Sequence, residues 1–169
     1  NTIVDAQAEP DTSVCIGEPV QLSVSGGTDY LWFPDNFLSD SSLYNPLALP
    51  DSTINIYAIA TTTGCSDTDT VSIVVNSLPI ANGGGDQNII MGDVVVLNAS
   101  GGSTYSWSPS AGLSCTDCSD PIASPSQTTK YTLVVTDTNA CSDTVFVLVN
   151  VEASSDIYIP KAFSPNGDG

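Results

Sequence analysis

Val20-Gln21-Leu22-Ser23-Val24-Ser25-Gly26-Gly27-Thr28-Asp29-Tyr30-Leu31-Trp32-Phe33-Pro34 is written a second time, 75 residues on, as Val95-Val96-Leu97-Asn98-Ala99-Ser100-Gly101-Gly102-Ser103-Thr104-Tyr105-Ser106-Trp107-Ser108-Pro109. The match extends outward. Gly17, Leu38, Pro46, Ala48 and Pro50 fall on Gly92, Leu113, Pro121, Ala123 and Pro125, and after a small indel Cys65-Ser66-Asp67-Thr68 recurs as Cys141-Ser142-Asp143-Thr144. Two units built to one plan make a tandem array, and such arrays serve mostly to extend, space or display.

Within each copy the pattern is that of short strands. Val20–Val24 and Val94–Ala99 are rich in β-branched residues, and Tyr30–Phe33 and Tyr105–Ser108 follow Gly-Gly turns. Ile54–Ala60 with Val71–Val75, and Tyr131–Thr136 with Val145–Val151, read as closing hairpins, with proline-punctuated loops at Pro34–Pro50 and Pro109–Pro125. No long stretch carries a 3.6-residue period. Regularly spaced strands with turn signals between them predict an all-β chain, two antiparallel immunoglobulin-like sandwiches at 1–78 and 79–152 with an extended tail at 153–169. The short proline-containing join at Asn76–Asn82 predicts an end-to-end, semi-rigid rod. Trp32 and Trp107, identically placed, are expected as core aromatics rather than as exposed platforms for sugars.

The chain of 169 residues carries 19 acidic residues against two lysines, Lys130 and Lys161, with no histidine and a formal net charge of −17. No basic patch is available for phosphates, which argues against nucleic acid and against anionic membranes as partners. No apolar run is long enough to span a bilayer, so membrane insertion is not expected. Solubility through mutual repulsion is one use of the acids; capture of Ca²⁺ by carboxylate and amide oxygens is another. No cofactor is required, and calcium is the candidate, with Asp86, Asp137 and Asp143 near a domain edge and Asn166 and Asp168 at the alternate spacing of a calcium loop. The chain reads as a segment of a longer or processed protein.

Without histidine, Ser-His-Asp and Cys-His arrangements are excluded. The acids sit mostly in Ser/Thr/Asp/Gly turns, where aspartate bonds its own backbone. Gly83-Gly84-Gly85-Asp86 opens no helix and is not a phosphate loop. An enzyme is not expected.

Five cysteines lie at 15, 65, 115, 118 and 141. By elimination Cys15 pairs with Cys65 inside the first copy, closing about 50 residues for about 4 kcal/mol at most. Cys115-Thr116-Asp117-Cys118 lacks the βαβ context of a redox motif and the ligands of a zinc site, so a loop-closing disulfide is expected. Cys141 is then the unpaired thiol, buried or joined outside this chain. Such use of bridges points to an oxidising compartment.

The pattern Gly-x-x-Val-x-Leu, Gly-Gly-x-x-Tyr-x-Trp-x-Pro, Leu-Ser-Cys-x-x-Cys-x-x-Pro, Thr-Thr-x-Tyr-Thr and Cys-Ser-Asp-Thr resembles the PKD-like and Ig-like repeats of very large bacterial surface proteins. The last residues, Ile157-Tyr158-Ile159-Pro160-Lys161-Ala162-Phe163-Ser164-Pro165-Asn166-Gly167-Asp168-Gly169, resemble the opening of the gliding-motility-associated "type B" C-terminal domain of type IX secretion. The resemblance implies export and an extracellular or outer cell-surface location. The expected role is a non-catalytic stalk or filament segment of an adhesin or fibre; the alternative is a carbohydrate-binding or spacer appendage of a secreted hydrolase. Expected partners are further copies of the repeat, through self-association, and surface glycans. Ile157, Tyr158, Ile159 and Phe163 form an assembly tail, suited to covering an edge strand or adding to a neighbouring chain.

Overall fold

The computed structural model describes residues 4–154, so Ile157, Tyr158, Ile159, Phe163, Asn166 and Asp168 lie outside the described residues. Those residues hold fourteen strands, and none of them is helical. By compactness they form two units. Unit 1 takes in residues up to Ile80 together with Gly101–Ser103 and Val135–Asp143; unit 2 takes in Ala81–Ser100, Thr104–Val134 and the chain from Thr144 onward.

The first copy runs β1 (Gln7–Ala8), β2 (Thr12–Cys15), β3 (Val20–Gln21), β4 (Val24–Ser25), β5 (Asp29–Phe33), β6 (Leu47–Ala48), β7 (Ile54–Thr62) and β8 (Cys65–Asn76). Its main sheet has the order β2-β8-β7-β5, and the opposing layer is made of the short pairs β1-β4 and β3-β6. The second copy repeats this with β9 (Gln87–Ile90), β10 (Val95–Val96), β11 (Thr104–Ser108), β12 (Ile122–Ala123), β13 (Thr129–Thr136) and β14 (Ser142–Glu152), in sheets β11-β13-β14-β9 and β10-β12. Both are immunoglobulin-like sandwiches. The Phe33–Pro34 and Ser108–Pro109 peptides, at matching positions, are both cis.

One correction concerns strand direction. β2 runs parallel to β8, from Thr12 opposite Ile73 to Cys15 opposite Asn76, and β9 runs parallel to β14, from Gln87 opposite Val149 to Ile90 opposite Glu152. The sandwiches are therefore not wholly antiparallel. In the first copy the opening strand is split at Pro10, which has no N–H to donate. Before it β1 pairs with β4 in one layer, and after it β2 lies along the last strand of the other. Alternation of apolar residues reports which side faces the core and is silent on the direction of the neighbour.

The cores follow from period-2 burial. In β7 Ile56, Ala58 and Ala60 point inward, and in β8 Val71 and Ile73 do so; all five are essentially inaccessible. Ile56, Ala58, Val71 and Ile73 close with Leu22, Val24 and Ala48 around Trp32, which is 1% exposed. In the second copy Leu97, Ala123, Tyr131, Leu133, Val147 and Val149 are buried, as is Trp107 at 2%. Each indole N–H is satisfied by the long loop: Trp32 Nε1 donates to the Leu43 carbonyl at 2.9 Å and Trp107 Nε1 to the Cys118 carbonyl at 3.1 Å. A buried Trp without such a partner would carry the cost of an unmade hydrogen bond.

The indel between the copies is a change of hairpin turn. In the first, Thr62 faces Cys65 across the two-residue turn Thr63-Gly64, both at positive φ (47° and 81°), as a type I′ turn requires. In the second, Asp137 donates its N–H to the Cys141 carbonyl across three residues, and Ala140 sits at φ 64°. The left-handed residue precedes the cysteine in both. For alanine that conformation costs about 1 kcal/mol, which glycine does not incur. Ala140→Gly is therefore expected to stabilise the protein by about 1 kcal/mol in urea denaturation, and Gly64→Ala to destabilise it by a similar amount.

Candidate functional site

Several carboxylates among the described residues accept backbone N–H groups. Asp11 accepts from the Ser72 N–H at 2.8 Å, and its counterpart Asp86 accepts from the Leu148 N–H at 2.8 Å. Each ties the start of its copy to the last strand. On β8, Asp67 accepts from Ala6 N–H and Asp69 from Ala8 N–H, both at 2.9 Å, so alternate acids of β8 tie down the β1 segment, whose ladder is with β4. Asp137 Oδ1 accepts from the N–H groups of Asn139 (2.8 Å) and Cys141 (2.9 Å), shaping the turn.

Asp86 and Asp137 spend oxygens on N–H donors, and among the described residues no three His, Cys, Asp or Glu side chains gather into a metal-holding group, Asp143 included. Ionised acceptors make the stronger hydrogen bonds. The bonds from Ala8 and then Thr70 hold the Asp69 carboxyl below its ordinary value, and those from the Ser42 side chain and backbone do the same for Asp40. Burial pushes the Tyr131 hydroxyl up, and that hydroxyl donates to the Ala111 carbonyl at 2.8 Å.

The cysteine pairing also differs from expectation. Cys15 is bonded to Cys141, with Cα atoms 5.6 Å apart and a sequence separation of 126, and Cys65 is a free, exposed thiol. Both bonded residues fall in unit 1, which includes the second copy's turn. Cys15 ends β2 beside Asn76, whereas Cys65 starts β8, which runs parallel to β2, a strand's length away from that end. Elimination within one copy could not see this. Cys115 and Cys118 are bonded to each other, closing the loop whose Cys118 carbonyl receives the Trp107 indole.

A further surface was missed in the sequence. On the outer face of β5 and β7, Leu31 (51% exposed), Phe33 (61%) and Tyr57 (43%) stand together, Phe33 directly opposite Tyr57 and Leu31 opposite Ile59. The equivalent positions of the second copy are Ser106, Ser108 and Thr132. The signal was legible: Tyr30-Leu31-Trp32-Phe33 is apolar on both faces, whereas Tyr105-Ser106-Trp107-Ser108 alternates. The second copy's outer face instead carries Lys130, whose ammonium lies 3.8 Å from the centre of the Phe146 ring. An open groove beside β9 is lined by Asn88, Ile90, Asp93, Val94 and Glu152.

No family model matches the chain, and no curated protein matches it. Among solved structures it is similar to the first two Ig domains of DIP-gamma (11% identity, 88% of this chain and 98% of that one, TM-score 0.42). It is similar also to extracellular domains 3–5 of Drosophila OTK (11%, 88% and 62%, TM-score 0.49) and to the insect immune protein hemolin (14%, 86% and 46%, TM-score 0.43). The chain thus spans 62% of the OTK fragment and 46% of hemolin.

Two predictions follow from this chemistry. Replacing Cys15 and Cys141 together by alanine lowers stability by about 2–4 kcal/mol in non-reducing denaturation, whereas Cys65→Ala leaves it unchanged within about 0.5 kcal/mol. Because the Asp69 pKa is depressed in the folded state, its contribution is present above the unfolded value of about 3.9 and is lost as pH falls through the folded value. Melting temperature followed from pH 6 to about pH 2.5 falls less steeply below about pH 4 in Asp69→Asn than in the parent.

Proposed function

We propose that the chain is a non-catalytic structural or adhesive segment of an extracellular stalk or fibre, built from Ig-like and PKD-like repeats and exported by a bacterial type IX system. The observation that carries this reading is the Cys15–Cys141 bond. It closes 126 residues, uses a cysteine from each copy, and belongs to an oxidising compartment. The rest of the polar chemistry supports the same reading. Asp11, Asp86, Asp67, Asp69 and Asp137 all satisfy backbone donors, so these five acids hold strands and a turn in place. The tail motif supports the export route, and a net charge of −17 supports solubility and discourages casual association. Self-association or neighbouring repeats are the natural partners of such a segment.

A second reading, the carbohydrate-binding appendage, is favoured by Leu31, Phe33 and Tyr57, because exposed aromatic rings suit the apolar faces of sugars. Protease shaving of intact producing cells separates location from role: release of fragments from residues 4–154 without lysis is expected, and protection until lysis contradicts surface display. A glycan array probed with the chain and with Phe33→Ala/Tyr57→Ala decides the second reading. Binding lost by at least tenfold in the double variant favours the appendage.

A further inference from the structure

Cys65 and Cys141 are one position of the repeat in two chemical states. Cys65 opens β8 and Cys141 immediately precedes β14; each follows a residue in the left-handed conformation and begins Cys-Ser-Asp-Thr. Cys141 is fully buried in a disulfide, whereas Cys65 is exposed and reduced. The partner of Cys141 is equally well defined. Cys15 is the last residue of β2, the strand parallel to the final strand, and the next N–H, that of Ile16, donates to the Asn76 carbonyl at 2.8 Å. In the second copy this place belongs to Ile90, which ends β9 opposite Glu152; the N–H of Met91 donates to the Glu152 carbonyl at 2.8 Å. The repeat thus uses a turn cysteine of one copy and a strand-end cysteine of the copy before it, and in this chain one turn cysteine is left over.

We infer that Cys65 forms the same bond to a cysteine at the Cys15 position of another Ig-like unit lying outside these 169 residues. The second observation that singles out Cys65 from an ordinary surface thiol is the bonded state of Cys141 at the same position. Another copy's Cys15 is not free to serve, because it is taken by its own Cys141. An odd cysteine in a disulfide-bearing protein points to pairing beyond the chain. The chemistry is a two-electron oxidation of two thiols. The Cys65 thiolate attacks a disulfide oxidant such as oxidised glutathione, releasing one glutathione thiol. The partner thiolate then attacks the mixed disulfide at the Cys65 sulfur and releases the second. Two thiols and one glutathione disulfide thereby become one protein disulfide and two glutathione thiols. This inference rests on the chain being part of a longer tandem array, and makes that array covalently stitched from unit to unit.

The full chain can supply its own probe. Ile90 is half exposed, so Ile90→Cys restores the missing strand-end cysteine without opening the core. In oxidised glutathione buffer, Ile90→Cys is expected to form head-to-tail disulfide-linked oligomers in which peptide mapping finds Cys65 joined to the introduced position 90. That linkage should exceed each symmetric pairing by about tenfold, where random coupling gives about twofold, and Cys15–Cys141 should stay intact. Ile90→Cys/Cys65→Ser should remain monomeric. Random coupling, or dimers through Cys65–Cys65 alone in parent and variant alike, overturns the inference. Surface display is read separately by shaving, so failure of one leaves the other standing.

Discussion

The bond between Cys15 and Cys141 is the constraint on which most of the architecture leans. Each copy is small, and a sandwich of this size buries only a modest core around its Trp, Leu and Ile side chains. A staple compensates by removing freedom from the unfolded chain, and its effect grows with the loop it closes. For 126 residues the chain-entropy relation gives about 5 kcal/mol at most, more than the about 4 kcal/mol of a bridge confined to one copy. Placing the bond between a strand end and the other copy's turn also fixes the Asp137-shaped hairpin, whose Cys141 N–H is already held by the Asp137 carboxylate.

The second theme is economy of devices. Asp11 and Asp86 occupy matching positions and accept from Ser72 and Leu148, also matching. Thr53 and Thr128 do the same for the N–H groups of Val75 and Val151, both at 3.0 Å. Trp32 and Trp107 find their acceptors at matching loop positions although one loop is closed by a disulfide and the other is not. Side chains that hold the backbone are what the two copies share. The differences lie at the outer face, where Leu31, Phe33 and Tyr57 give way to serine and threonine, and at the turns, where one cysteine is bonded and the other free.

Much of this was written in the sequence. The 75-residue repeat, the strand periodicity and the interior place of Trp32 and Trp107 could be read because burial in a sheet has a period of two and glycine and proline mark its turns. The direction of β2 and β9 could not, since four residues carry no information about their neighbour. The partner of Cys15 is not legible within one copy, because the bond depends on where a strand ends in space. Asp86 follows a run of three glycines. Its alignment with Asp11, which has no such setting, was the available sign that both serve a last-strand N–H.

Stretching single molecules from their termini tests the central bond most directly. With Cys15–Cys141 intact, the residues between them are withheld from extension, so reductant should lengthen the fully extended chain by roughly 400–450 Å, at about 3.3–3.6 Å per residue. A gain near roughly 170–180 Å would instead mean that Cys15 is joined to Cys65, and no gain would mean that no long-range bond exists; either contradicts the account.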